Sequence, residues 1–218
     1  MIPSVTMRAV KLFVLGATGG TGRHIAAQAL EAGHMVTVMA RDLAKVMTRD
    51  QRLTVVGGDT TSGGAAMTTA MHGHDAVISA IGRGKTFQSD RLIQRSVPVI
   101  LSAMQASGVR RLVFTSALGV GASYQHAPLL PKMFFNTLLR GIYADKLIGD
   151  DYIRQSGLDW TIVQPAALTD GPLTRKYRSG ERLPLSGIPT ISRADTAHFI
   201  LDRIDDATTF GKTLILAN

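Results

Sequence analysis

Lys11-Leu-Phe-Val-Leu-Gly-Ala-Thr-Gly-Gly-Thr-Gly22 is the stretch whose reading decides the fold. An apolar run, Lys11 to Leu15, enters a glycine turn, and a helix-like stretch from His24 to Ala32 leaves it. Strand, glycine turn and helix in that order form the arrangement that holds a dinucleotide pyrophosphate. Gly16 permits the tight turn, Gly19 lets the backbone approach the phosphates, and Gly22 lets helix and strand pack closely. Ala17, Thr18, Gly20 and Thr21 complete the loop, and the helix start offers unpaired N–H groups and a positive dipole end to an anion. The spacing is G-x-x-G-x-x-G rather than the G-x-G-x-x-G of the simplest fingerprint.

A second apolar run, Met35-Val-Thr-Val-Met39, ends in Ala40-Arg41-Asp42. An acidic residue at this distance grips the ribose hydroxyls of NAD, whereas an arginine accommodates the 2′-phosphate of NADP. Arg41 stands first after the strand and Lys45 follows four residues on, so a guanidinium with a nearby ammonium points to NADP(H). The competing reading is a solvated Arg-Asp pair in which Asp42 caps a helix.

The same alternation continues. Leu53–Gly57, Ala76–Ile81, Arg111–Ser116, Trp160–Gln164 and Thr213–Leu216 read as buried strands. Helices are expected around Ala65–Met71, from Ser89 to Ser107, from Lys132 to Ser156 and from Arg193 to Ile204. Pro98 is expected to disturb the second of these. Short apolar runs between helical lengths predict an α/β, doubly wound, mostly parallel Rossmann-type sheet in a single domain, residues 1–218. Ligands of such sheets sit outside the carboxyl ends of the strands. Those ends supply Asp59 and Thr60, Ala80, Ile81 and Gly82, Thr115 and Ser116, and Pro165 and Ala166 as candidate cofactor contacts. Asp59 suits either the adenine amino group or a helix N-cap.

Composition narrows the classes. With no cysteine among 218 residues, disulfides, thiolate catalysis and cysteine-ligated metals are excluded. Met1 to Val10 are too short for a signal peptide's apolar region and no run approaches a membrane span, so the cytoplasm and no membrane partner are expected. The formal charge of +8 can steer anionic cofactors to a cleft, and its clusters, Arg110-Arg111 among them, otherwise read as solvated surface. Aromatics are 6% of the chain, which gives little material for base stacking, so no nucleic acid is expected. His72-Gly-His74 reads as a solvated turn and not a metal site, and no metal is expected. Met67, Met71, Met104 and Met133 read as core filler. A monomer is the default.

The chain also resembles a known family. Leu15–Gly22, Val36–Asp42, Val56–Asp59, Asp75–Ile78, Ser107–Val109, Thr115–Ala117, Arg154–Leu158 and Pro165–Thr174 match the pattern of atypical short-chain dehydrogenases/reductases of the NAD(P)-binding, NmrA-like group. Arg41 with Lys45, and Asp170-Gly-Pro-Leu-Thr174, resemble most narrowly its flavin reductase (biliverdin-IXβ reductase) branch. The resemblance implies NADPH-dependent hydride transfer to a planar conjugated acceptor, either a flavin such as FMN, as substrate and not as prosthetic group, or a linear tetrapyrrole. It places the nicotinamide near Ser116 and Pro165, with Ser116 as the candidate catalytic residue. It places the acceptor near Ala117, Leu118, Ala167 and Leu168, within substrate-side segments 117–131 and 165–192. Gly119 to Pro131 reads as a loop able to cover the site.

Two departures matter. No Tyr-x-x-x-Lys occurs, so the tyrosine acid of ordinary alcohol–ketone chemistry is missing; Tyr143 and Lys146, one residue closer, read as an exposed helix pair. Where the branch carries a histidine beside the acceptor, this chain has Ala167, which makes the flavin a better acceptor than the tetrapyrrole. A non-enzymatic NADP(H) sensor and a reductase or isomerase of another small molecule stand as alternatives.

Overall fold

The computed structural model describes residues 9–82, 90–126 and 140–218. Among them the eight-stranded sheet runs β3-β2-β1-β4-β5-β6-β10-β8. Its strands are β1 (Lys11–Leu15), β2 (Met35–Ala40), β3 (Leu53–Gly57), β4 (Ala76–Ser79), β5 (Arg111–Thr115), β6 (Asp159–Pro165), β8 (Arg178–Gly180) and β10 (Lys212–Ala217). All neighbours pair in parallel except β8, which runs antiparallel to β10 at the edge. A separate parallel pair, β7 (Ala167–Thr169) with β9 (Thr190–Ser192), stands beyond β6. Alternation along each central strand sends side chains to two faces. Leu12 and Val14 join one core with α1 (Gly20–Glu31) and α5 (Arg193–Asp202). Phe13 and Leu15 join the other with α2 (Gly64–Met71), α3 (Leu92–Ser107) and α4 (Arg140–Arg154).

This is the doubly wound α/β sheet expected from the alternation. The short pieces β7, β8 and β9 were not legible, because three-residue strands carry too little periodicity. They all fall within 165–192. Helix α1 begins at Gly20, inside the glycine motif and four residues before the expected start. The parts of the expected helices at Ser89 and at residues 132–139, Met133 with them, and the loop residues 127–131, lie outside the described residues; Gly121–His126 forms a 3₁₀ turn.

Pro98 does not break α3, which runs through it. The proline is exposed on the outer face, where it leaves the Gln94 carbonyl without its helical partner, while Ile93, Val97, Ile100 and Leu101 anchor the buried face. The N-cap of α3 is Arg91, left-handed at φ 58°, whose side chain does not cap the helix. A cap comes from another helix: the buried Asp145 of α4 accepts from the N–H groups of Ile93 (3.1 Å) and Gln94 (2.9 Å).

Two surface readings are corrected. Arg111 is buried and bonds the carbonyls of Ile204 (2.8 Å), Asp159 (2.8 Å) and Arg203 (2.5 Å), with Phe210 under its guanidinium. Burial pulls it down to about 10, so it keeps its charge at neutral pH and ties β5 to the chain's end. His74 is not a solvated turn residue: it bonds the Met71 carbonyl and the Thr37 hydroxyl and meets Phe13 edge-on. These contacts hold it half-buried against the sheet, and burial depresses its basicity. Met67, Met71 and Met104 are fully buried. Among the described residues no helix is long and apolar enough to cross a membrane.

Candidate functional site

Because β1 to β6 and β10 are parallel, their carboxyl ends share one edge. The strand order reverses between β1 and β4: the chain moves outward from β1 to β2 and β3, then returns to β4 on the other side. Such a switch point opens a crevice. Gly16 stands at it with φ +80°, and a Cβ there would meet the Ala80 carbonyl oxygen at 2.5 Å and the Ile81 nitrogen at 2.9 Å. The glycine turn therefore packs backbone to backbone against the exit of β4, where Ala80, Ile81 and Gly82 stand. At Gly22, inside α1, a Cβ would overlap the Gly16 carbonyl, so Gly22 is required by contact alone, whereas Gly16 is required by contact and by its left-handed conformation.

The amino end of α1 fits an anion. Gly19 is its N-cap, no side chain caps it, and its first turn holds no acidic residue. The N–H groups of that turn, Gly20 to Gly22, are thus left to an external acceptor. Sequence reading missed a further cation here. Arg193, the first residue of α5, lies over Gly20, 2.6 Å from where its Cβ would be, and pairs with Asp170 at 2.8 Å. Only the packing of α5 on α1 brings residue 193 to residue 20.

Arg41 and Lys45 both lie exposed at the exit of β2. Asp42 caps the 3₁₀ turn Leu43–Lys45 by accepting from Ala44 N–H, as one sequence reading held, and Lys45 leans on Asp42 at 3.6 Å. Asp59 does not cap α2, whose N-cap is Gly63; it accepts from the N–H and hydroxyl of Thr61 at 2.7 and 2.6 Å. Those bonds, with the charges of Arg41 and Arg95, hold its carboxyl below the usual range. Thr60 pairs its hydroxyl with Ser96 of α3 at 3.0 Å.

At the exits of β5 and β6 the structure assembles a group that sequence reading saw only in part. Ser116 is buried and its hydroxyl donates to Asp150 of α4 at 2.9 Å. Gln164 donates to the same carboxylate oxygen at 3.4 Å and to the Val120 carbonyl at 3.1 Å. Lys146 donates to the Ser116 carbonyl at 3.3 Å, and Tyr143 donates to the Leu118 carbonyl at 3.0 Å. Tyr143 and Lys146 are therefore not an exposed helix pair, because α4 lays this face against the strand exit. Burial raises the Tyr143 phenol well above its ordinary range and lowers the Lys146 ammonium, whose neighbours Asp150 and Asp145 oppose that fall. Burial also pushes Asp150 up to about 6, against the pull of Ser116, Lys146, Arg154 and Gln164. Asp150 and Gln164 carried no local motif; each became part of the site only through packing.

Pro165 and Ala166 are buried at the end of β6, Pro165 accepting from Leu118 N–H at 3.0 Å. Ala167 and Leu168 begin β7, with Ala167 exposed; Ala117 is partly buried and Leu118 buried. The segment beyond is fastened by buried Asp195, which accepts from Thr174 N–H (2.8 Å), Thr174 hydroxyl (2.8 Å) and Arg175 N–H (2.7 Å). Although burial alone would raise this carboxyl, those bonds hold it low.

A family model described as NAD(P)H-binding matches residues 16–207, from the glycine turn to beyond α5. The chain belongs to that family. It is 32% identical over 172 residues to an uncharacterized chloroplastic protein of Arabidopsis thaliana, covering 75% of this chain and 61% of that protein. It is 27% identical over 212 residues to the photosystem II assembly factor Ycf39 of a Synechocystis strain, covering 90% of this chain and 59% of that one. The chain thus spans about six tenths of the length of these two relatives. Among solved structures, a Rossmann-fold NAD(P)-binding family protein from Shigella flexneri matches with a TM-score of 0.71 at 26% identity, covering 96% and 93% of the two chains. A Veillonella parvula short-chain dehydrogenase/reductase, solved in complex with NADP, matches with a TM-score of 0.82 at 18% identity, covering 97% and 95%. At that identity the likeness concerns the fold.

Proposed function

We propose that this NAD(P)H-binding protein is an NADPH-dependent reductase that passes hydride to a planar conjugated acceptor. A flavin such as FMN is the favoured acceptor and a linear tetrapyrrole the second, as the resemblance to the flavin reductase branch implies. The observation that carries the reading is the disposition of Tyr143 and Lys146. Each bonds a backbone carbonyl, Leu118 and Ser116 respectively, and burial keeps the phenol protonated. The edge therefore supports dinucleotide binding without an activated tyrosine acid. Ketone reduction needs such an acid at the oxygen, whereas a flavin takes hydride at a ring nitrogen and spreads the negative charge over its rings.

The first-turn amides of α1 and the glycines 16, 19 and 22 would receive the pyrophosphate, with Arg193 at its rim. Arg41, seconded by Lys45, would hold the 2′-phosphate, and Asp59 and Thr60 the adenosine side. Ala80, Ile81, Gly82, Thr115, Ser116, Pro165 and Ala166 would line the nicotinamide side; when bound, NADPH supplies the hydride. Ala117, Leu118, Ala167 and Leu168 would border the acceptor, and a position that lacks the branch's histidine favours the flavin. What the chain contributes is placement and the exclusion of water.

The test is oxidation of NADPH, followed by nicotinamide absorbance, with and without FMN and with NADH as control. Acceptor-dependent oxidation that prefers NADPH is expected, and Tyr143→Phe should keep turnover within about threefold, since a phenol engaged with a carbonyl contributes little acid catalysis. A loss of a hundredfold or more in that variant would refute the acid-free reading. A second reading rests on the 27% identity with an assembly factor over most of this chain: a binding protein responsive to NADP(H). Tight dinucleotide binding without turnover on flavin, tetrapyrrole or carbonyl acceptors would favour it.

A further inference from the structure

Asp150 is fully buried, yet it stands one side chain away from the strand exits that form the site. A serine hydroxyl has one proton to donate and two lone pairs to accept with. In this structure the Ser116 proton is engaged by Asp150 Oδ2, and the Ser116 carbonyl is taken by Lys146. What Ser116 Oγ can still do is accept. We propose that Asp150 is a positioning residue whose carboxylate holds Ser116 as a hydrogen-bond acceptor for an N–H donor of the ligand, the carboxamide of a nicotinamide ring.

This inference rests on the dinucleotide reading and adds to it which way the Ser116 hydrogen bond runs. Reversal is built into the same geometry. A protonated Asp150 carries an O–H of its own, which would donate to Ser116 Oγ and turn the serine proton outward, against an N–H donor. The surroundings bring that reversal within reach. Among the described residues, Lys146 and Arg154 of α4 are the charged groups facing Asp150, Arg154 at 3.9 Å. Ser116 faces it from the end of β5 and Gln164 from β6, while α3 meets α4 beside it through apolar Ile93 and Val97, opposite Gly149. Asp150 Oδ1 and Gln164 Oε1, both buried, accept no hydrogen bond from any described residue. A half-paired buried carboxylate is costly and gains from taking up a proton. Its titration is accordingly raised to about 6.

The experiment measures NADP⁺ affinity by calorimetry from about pH 5 to pH 8 for wild type, Asp150→Asn and Ser116→Ala. It also follows the Asp150 carboxyl by carbon-13 NMR, with and without NADP⁺. If only the ionised form binds, about a tenth of the protein is competent one pH unit below the midpoint, and wild-type affinity should fall roughly tenfold there. Titration of the ligand's own 2′-phosphate is common to all three proteins, so the excess over Asp150→Asn isolates Asp150. Both variants should lose that excess, and NADP⁺ should lower the Asp150 midpoint in the wild type. Parallel profiles in wild type and Asp150→Asn, or a midpoint that NADP⁺ leaves unmoved, would overturn the proposal while leaving the reductase reading intact. Should Asp150→Asn not fold, the NMR midpoint and Ser116→Ala decide. Failure of the wild type to bind either NADP⁺ or NAD⁺ at any pH would overturn both readings.

Discussion

Replacing Arg41 by alanine separates the two dinucleotides. The side chain leaves β2 at the rim of the crevice, close enough to Asp59 for its charge to help depress that carboxyl. A charge-assisted bond to phosphate is worth about 1.5–3 kcal/mol, and Arg41 is exposed, so solvent screening places it at the lower end, about 1.5–2 kcal/mol. At 1.4 kcal/mol per decade, NADP⁺ should bind roughly 10- to 30-fold more weakly to Arg41→Ala. NAD⁺, which has no 2′-phosphate, should lose less than about twofold. Lys45→Ala should cost NADP⁺ less, because that ammonium already leans on Asp42. Calorimetric titration of both dinucleotides at two salt concentrations is the assay, and added salt should narrow the difference. Equal losses for NADP⁺ and NAD⁺ would show that Arg41 does not read the 2′-phosphate, and the preference for NADP(H) would fall with it.

Three further outcomes follow from packing and burial. Gly22→Ala puts a methyl group onto the Gly16 carbonyl, where only backbone can yield. Overpacking of about 1–3 kcal/mol, with a Tm lowered by roughly 2–12 °C and weakened binding of both dinucleotides, should be seen by calorimetry. Asp145→Ala strips the amino end of α3 of its cap and leaves the Ile93 and Gln94 amides unpaired. A loss of about 2–4 kcal/mol in urea unfolding, at unchanged m, is expected, and a loss under about 1 would refute the capping role. Asp150 is a carboxyl raised in the folded state to about 6, from an ordinary 3.8. It binds its proton more tightly folded than unfolded, so stability falls as pH rises through that window. The penalty is complete above it and absent below the unfolded value. Asp150→Asn should therefore be more stable than wild type by up to about 3 kcal/mol at pH 7–8, with the gain vanishing near pH 4. A difference that stays flat across that range would refute it.

By itself the sequence determined what is local in the chain. Lys11–Leu15, Met35–Met39 and Leu53–Gly57 are short, apolar and separated by helical lengths, so the parallel sheet and the glycine crevice follow from patterning and from the one residue type that fits the turn. The position of Arg41 at the exit of β2 was legible because it depends only on its distance from that turn. Boundaries slipped where glycines hid a helix start, at Gly20, and the three-residue strands between 165 and 192 left no period to read. Tertiary structure decided the rest. Asp150, Gln164, Lys146 and Tyr143 come together because α4 packs against the exits of β5 and β6; Arg193 reaches Gly20 because α5 lies on α1; Asp145 caps a helix about fifty residues earlier in sequence. Local spacing carries no information about which distant side chains a buried carboxylate will meet. A buried charge, however, must find partners wherever the fold supplies them.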